Sequence, residues 1–136
     1  MAEDIRLNIA ADVDVVQARQ RGREIASEAG FSSGDQTVIA AAISEIARNI
    51  VNYAKRGEII MRLVSNGDRQ GVVVIAEDRG PGIRDISQAL EDGYSTSGGL
   101  GLGLPGARRL MDEFDVRSIL GQGTTVTMIK WRRKTS

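Results

Sequence analysis

Between Asp4 and Ala11, apolar Ile5, Leu7 and Ile9 alternate with polar Arg6 and Asn8, the period-two pattern of a strand with one face buried. Asp12 or Asp14 can then cap a helix that runs to about residue 29 and stops at Gly30. Its apolar positions are Val15, Val16, Ala18, Ile25, Ala26 and Ala29, and Gly22 is a weak point inside it. A second helix is expected from near Ser33 to near Ala54, closed by Lys55, Arg56 and Gly57. Residues 57–64 and 71–77 read as strands, with Asn66-Gly67 between them as a hairpin signal. Later in the chain, a helix from Leu104 or Pro105 to about Phe114 precedes strands over 116–120 and 124–131, joined at Gly121-Gln122-Gly123. Residues 81–103 break the pattern. They are glycine-rich and poorly periodic, with room for a short helix over 85–90, and stretches of that length in compact domains tend to be lids or binding loops. The basic tail 132–136 reads as a frayed, solubilising end.

Composition narrows the chemistry. With 136 residues, 41% of them hydrophobic, one core and one domain over 1–136 are expected, without repeats or linkers. The chain has no histidine, which removes an imidazole base, phospho-acceptor or metal ligand, and no cysteine, which removes disulfides and thiolate chemistry. Eighteen basic residues balance eighteen acidic ones, so no net field draws the chain to nucleic acid or anionic lipid. Aromatic residues, at 4%, are too few for base-stacking platforms. No apolar run approaches the roughly 18 residues of a membrane span, and the start MAEDIRLNIA lacks a signal pattern.

Glu45 and Asn49 lie one turn apart on the second helix, off the stripe of Ile39, Ile43, Ile46, Ala47, Ile50 and Ala54. They are either two residues of a solvated face or a carboxylate that can take a proton beside an amide oxygen that suits Mg²⁺. Asp78-Arg79-Gly80-Pro81-Gly82 follows directly on the apolar run 72–76. It is either a tight turn with a capping Asp or an acceptor for adenine N6 beside closely approachable backbone. In Gly98-Gly99-Leu100-Gly101-Leu102-Gly103-Leu104, successive N–H groups can converge on phosphate ahead of a helix N-terminus. The Walker ending Gly-Lys-Ser/Thr is absent, and the cluster stands too late in the chain for a dinucleotide-binding fingerprint. Gly121-Gln122-Gly123-Thr124 is a turn whose threonine could offer a hydroxyl to a purine.

In the order Glu45…Asn49, Asp78…Gly80…Gly82, Gly99…Gly101…Gly103, Gly121…Gly123-Thr124, these segments together resemble the GHKL ATP-binding superfamily. That resemblance implies an α/β fold, an α+β two-layer sandwich with helices on one face of a mixed β-sheet and ATP beneath a lid over about 84–103. It implies that Asn49 binds Mg²⁺ and Asp78 holds adenine N6. It also implies that Gly80 and Gly82 let the base sit close, that Gly99, Gly101, Leu102, Gly103 and Leu104 wrap the phosphates, and that Thr124 helps near the base.

Within the superfamily, residues 41–50, 75–83, 91–101 and 110–114 are similar to the small bacterial anti-sigma-type protein-serine kinases, above all the stressosome switch kinases of the RsbT type. By that resemblance the chain is a cytoplasmic kinase that uses MgATP, with Glu45 as the catalytic base. Its substrates are then serines or threonines on STAS-domain stressosome proteins of the RsbS and RsbR kind. Once released, it would bind and activate a PPM-type phosphatase of the RsbU kind. The competing expectation is an ATP-gated, anti-sigma-like binding module without catalysis.

Overall fold

The computed structural model describes residues 4–83, 90 and 104–132. The expected short helix over 85–90 (apart from Leu90), the lid, and the phosphate-wrapping residues Gly99, Gly101, Leu102 and Gly103 lie outside the described residues. The chain runs β1 (Ile5–Ile9), α1 (Asp12–Glu28), α2 (Ser33–Asn49), a π-helical turn (Ile50–Ala54), β2 (Gly57–Asn66), β3 (Arg69–Asp78), α3 (Leu104–Leu110), β4 (Glu113–Ile119) and β5 (Gly123–Trp131).

Local chemistry sets the boundaries. Neither Asp12 nor Asp14 is the N-cap of α1, which is Ala11; instead the Asp14 carboxylate reaches back to accept the amides of Ala10 and Ala11 at 2.9 and 3.0 Å. At the start of α2, Ser32 Oγ accepts the Asp35 amide at 3.1 Å. The second helix does not run unbroken to Ala54. It widens into the π-helical turn and ends at Lys55, whose φ of +76° lies in the left-handed region. The β2–β3 loop is Gly67-Asp68, with φ of +65° at Gly67 in its first central position, as a type II′ hairpin requires. The last helix stops at Leu110, short of the expected Phe114, because Phe114 belongs to β4. There it alternates with Val116 and faces Met128 of β5 in register.

The strand order is β1-β2-β3-β5-β4, and all four pairings are antiparallel, where the resemblance implied a mixed sheet. Two hairpins supply β2–β3 and β4–β5, and the pair of helices between β1 and β2 returns the chain to the end it left from.

One face of the sheet carries Leu7, Ile59, Ala76, Val126 and Val116 as one cross-strand row and Ile5, Met61, Val74, Met128 and Phe114 as the next. These rows pack with Ile39, Ile43, Ile46 and Ile50 of the helical layer and with Ala107 of α3 into one core. Gly22 is buried where α1 meets α2: a Cβ there would run into the end of the Ile43 side chain, so the glycine that weakens α1 lets the helices approach. Val16, expected to be apolar core, is instead exposed. The basic end is not wholly frayed. Arg132 donates its amide to the Gln70 carbonyl and its guanidinium to the Ala29 carbonyl, at 2.7 and 3.1 Å.

Candidate nucleotide pocket

The next row of the same sheet face changes character. Gly57, Asp78, Thr124 and Ser118 are successive cross-strand partners on β2, β3, β5 and β4, so the apolar core gives way to polar groups at one end of the sheet. Over this end lies a cavity of about 70 Å³. Ile46, Asn49, Ile50, Tyr53 and Ala54 wall it from the α2 side, and Ala76, Asp78, Thr124 and Val126 form its sheet side. Pro81, Gly82 and Ile83 complete the lining. A space with aliphatic walls and a few polar groups on its rim suits a flat heterocycle with a hydrogen-bonding edge.

Asp78 stands at the strand end, half-buried, and its Oδ1 accepts the Gly80 amide at 2.8 Å. This short local bond sets the carboxylate's orientation. Among the described residues nothing else hydrogen-bonds it, which leaves its other oxygen as an acceptor. Thr124 is buried on the neighbouring strand, its hydroxyl 2.8 Å from Ser118 Oγ. Asn49, expected off the apolar stripe, lines the cavity together with Ile46 and Ile50 of that stripe. Its Oδ1 is buried and has no hydrogen-bond partner among the described residues. An unpaired buried amide oxygen costs about 1–3 kcal/mol, so a hard cation or a ligand donor there would relieve a standing cost. The donor set fits Mg²⁺ in a limited way: among the described residues no group of three acidic residues could hold a metal by itself, so the ion would need the phosphates as further ligands.

The remaining expected residues are placed unevenly. Glu45 sits one turn before Asn49 but outside the cavity lining. Its side chain is 40% exposed and lies 3.8 Å from Arg48. The side chain of Leu104 is fully buried in the core, so only its backbone, at the start of α3, is available to a phosphate.

The structure gives Gly80 and Gly82 a reason other than closeness to the base. A Cβ on Gly80 would lie 2.7 Å from the Ala54 Cβ. Gly82 has φ of +81°, and a Cβ there would lie 2.6 Å from the Ile119 carbonyl oxygen. Both are thus demanded by protein packing, although Gly82 still lines the cavity. The turn after β3 is fastened to the β4–β5 hairpin by the Gly121 amide on the Pro81 carbonyl at 2.9 Å and the Ile83 amide on Ser118 Oγ at 2.8 Å.

Sequence reading missed Tyr53 and Ser118. Tyr53 reaches the cavity because the π-helical turn widens the end of α2, and nothing in the residue pattern announces that turn. Ser118 could have been found as the residue that must face Thr124 across a hairpin closed at 119–123.

Comparison with known proteins agrees with this geometry. The family model for the histidine kinase-like ATPase domain matches residues 9–130. The serine/threonine-protein kinase RsbT of Bacillus subtilis (strain 168) is 53% identical over 127 residues, which is 93% of this chain and 96% of that protein. Anti-sigma F factors of Pasteuria penetrans and Thermoanaerobacter sp. (strain X514) are 33% and 32% identical, over 70% and 68% of this chain and 65% and 68% of their own lengths.

Proposed function

The chain belongs to the histidine kinase-like ATPase domain family, and from that premise we propose that it moves the terminal phosphoryl group of ATP to serine or threonine hydroxyls of STAS-domain proteins. It is an ATP-dependent protein-serine/threonine kinase of the partner-switching type. The observation that carries this reading is the match, nearly end to end in both chains, to a protein named as a serine/threonine-protein kinase. The pocket supports it. Asp78 presents an acceptor to the adenine amino group, aliphatic Ile46, Ile50, Ile83 and Val126 flank the ring, and Asn49 offers its oxygen where a phosphate-bound cation would lie.

Mg²⁺, when bound, would neutralise phosphate oxygens. The chain's own part in phosphoryl transfer is chiefly to position the nucleotide and surround it with fixed dipoles. Asn49 is the residue that would hold the ion, and the backbone amides of residues 99–104 are those that would receive the phosphates. Glu45, one turn from Asn49, is the carboxylate nearest in sequence to that end and the base for the acceptor hydroxyl, worth about 10²–10⁴-fold in rate. Its partial exposure suits this role, because the acceptor arrives from outside on another protein. The domain is one functional unit over 1–136. Action in the cytoplasm is part of the same reading; among the described residues no helix is long and apolar enough to cross a membrane. Release from the phosphorylated STAS protein would free the kinase to bind and activate a PPM-type phosphatase.

The second reading, an ATP-gated binding module without a catalytic role, draws on the similarity to anti-sigma F factors. Incubation with γ-labelled ATP, Mg²⁺ and a purified STAS-domain protein, followed by phosphosite mapping, separates the two. Label on a serine or threonine of the STAS protein is expected. ATP-dependent binding with no label transferred would give the second reading the stronger claim.

A further inference from the structure

The core face of the sheet carries one lysine. Along β5 that face presents Thr124, Val126, Met128 and then Lys130, which is only 7% exposed and pairs in register with the fully buried Val72. Lys130 stands six residues along the strand from Thr124, about 20 Å from the pocket end of the sheet, too far to touch a nucleotide there. Its ammonium is spent elsewhere. Nζ donates to the Leu110 carbonyl, the last of α3, at 3.2 Å and lies 3.6 Å from Asp112 Oδ1. Asp112 is itself fixed to β5. Its amide donates to the Ile129 carbonyl at 3.0 Å, and its Oδ2 accepts the Trp131 amide at 2.7 Å.

Two turns of helix are too short to hold their own shape, so α3 depends on what it is packed against. Leu104 and Ala107, three residues apart on one face, are both fully buried. Apolar contact is non-directional, and two contacts on one line fix the depth of the helix but not its roll about that line. A hydrogen bond from an ammonium to a backbone carbonyl is directional and is met in one roll and one axial position. It also satisfies a carbonyl that the helix end leaves unpaired, where a cation is favoured. Leu104 opens α3 and is the last residue of the 99–104 segment. We propose that Lys130 is a positioning residue for phosphoryl transfer: by holding the end of α3 it fixes that helix on the sheet, and so fixes where the 99–104 backbone meets the triphosphate. This rests on the reading above that those amides receive the phosphates.

The test compares Lys130→Met, which keeps the aliphatic bulk and removes the ammonium, with wild type. Hydrogen exchange should quicken over 104–110 and stay as it was over 33–49. Calorimetric titration should show MgATP weakened relative to adenosine, which has no phosphates, by about 2- to 30-fold in the ratio of dissociation constants. A merely structural loss would weaken both ligands alike. Asp112→Asn keeps an acceptor for the Trp131 amide but removes the charge beside Nζ, and should move the ratio the same way whether or not Lys130→Met folds. A ratio within about twofold of wild type in either folded variant, or unchanged exchange over 104–110 in Lys130→Met, would overturn the proposal and leave the nucleotide reading standing. A folded wild type that binds neither ligand would overturn that reading instead.

Discussion

Replacing Asp78 with asparagine isolates one atom of the pocket. The Oδ1 of Asp78 accepts the Gly80 amide at 2.8 Å, and an asparagine carbonyl can take over that bond, so the turn after β3 should survive. What changes is the other oxygen, which becomes an NH₂ donor and loses its charge. A hydrogen bond to a charged group is worth about 1.5–3 kcal/mol, which converts to a loss of about 10- to 150-fold in ATP affinity. An NH₂ group set against the adenine amino group adds donor-to-donor repulsion, which places the expected loss toward the upper end of that range. The apo protein should melt within about 2 °C of wild type, since no core contact is removed. Asp78→Ala is the contrasting variant: it also strips the Gly80 amide of its partner and should cost about 1 kcal/mol of stability. Titration calorimetry with MgATP, run beside thermal unfolding of each apo variant, reads both quantities. An Asp78→Asn protein that is stable and binds ATP as tightly as wild type would refute the assignment of this carboxylate to the base.

Three other substitutions follow from the geometry. Asn49→Ala removes a buried oxygen that has no partner among the described residues, so stability should hardly fall, whereas the dependence of ATP affinity on Mg²⁺ should disappear when titrations with and without EDTA are compared. Glu45→Gln should leave ATP binding intact and slow phosphorylation of a STAS-domain substrate by about 10²–10⁴-fold in single-turnover assays; an unchanged rate would remove Glu45 from the mechanism. Gly22→Ala gains up to about 1 kcal/mol of helix propensity but drives a methyl into the end of the fully buried Ile43 side chain, which must shift to make room. Overpacking costs about 1–3 kcal/mol, so a net destabilisation of about 1 kcal/mol is expected in the urea midpoint.

The parts of this protein that could be read from its residues are those governed by short-range rules. The isoleucine stripe of α2, the alternation of β1 and the hairpin at Gly67 each follow from a period or a dihedral preference carried by a few neighbours. Asp78 and Asn49 were legible as a pair only because several motifs stood in a recognisable order; each alone has an ordinary structural explanation. What stayed hidden depends on contacts between distant segments. Gly80 is small because Ala54 presses on it, and Gly82 because the β4–β5 hairpin does, whereas the sequence suggests room for a ligand in both places. Tyr53 enters the pocket through a π-helical turn, and the pattern around Ile50 does not distinguish that turn from more α-helix. The start of β4 was misplaced because Phe114 satisfies a helical stripe as well as a strand, and only its pairing with Met128 decides between them.

The pocket has two kinds of support, and they need not respond together. Asp78, Thr124 and Ser118 hang from adjacent strands as direct cross-strand partners, a relation in which Cβ atoms stand about 4.5–5.5 Å apart by ladder geometry alone. Their spacing is set by the backbone before any ligand arrives, so little ordering entropy remains to be lost when a purine binds at that edge. Asn49 and Tyr53 belong instead to the helical layer, which meets the sheet mainly through side-chain packing. A small displacement of α2 over the sheet would therefore change the separation of Asn49 from Asp78 and leave Asp78 and Thr124 as they were. Gly22→Ala pushes on α2 through Ile43, about 9 Å of helix before Asn49, and touches no strand residue of the pocket. If the two supports are mechanically separate, that variant should weaken MgATP binding more than adenosine binding, because adenosine, although its ring also packs on Ile46 and Ile50, lacks the phosphates and cation that Asn49 would serve. Equal weakening of both ligands would mean that the helix layer and the sheet yield as one body, and the base edge would then owe its geometry to the whole core.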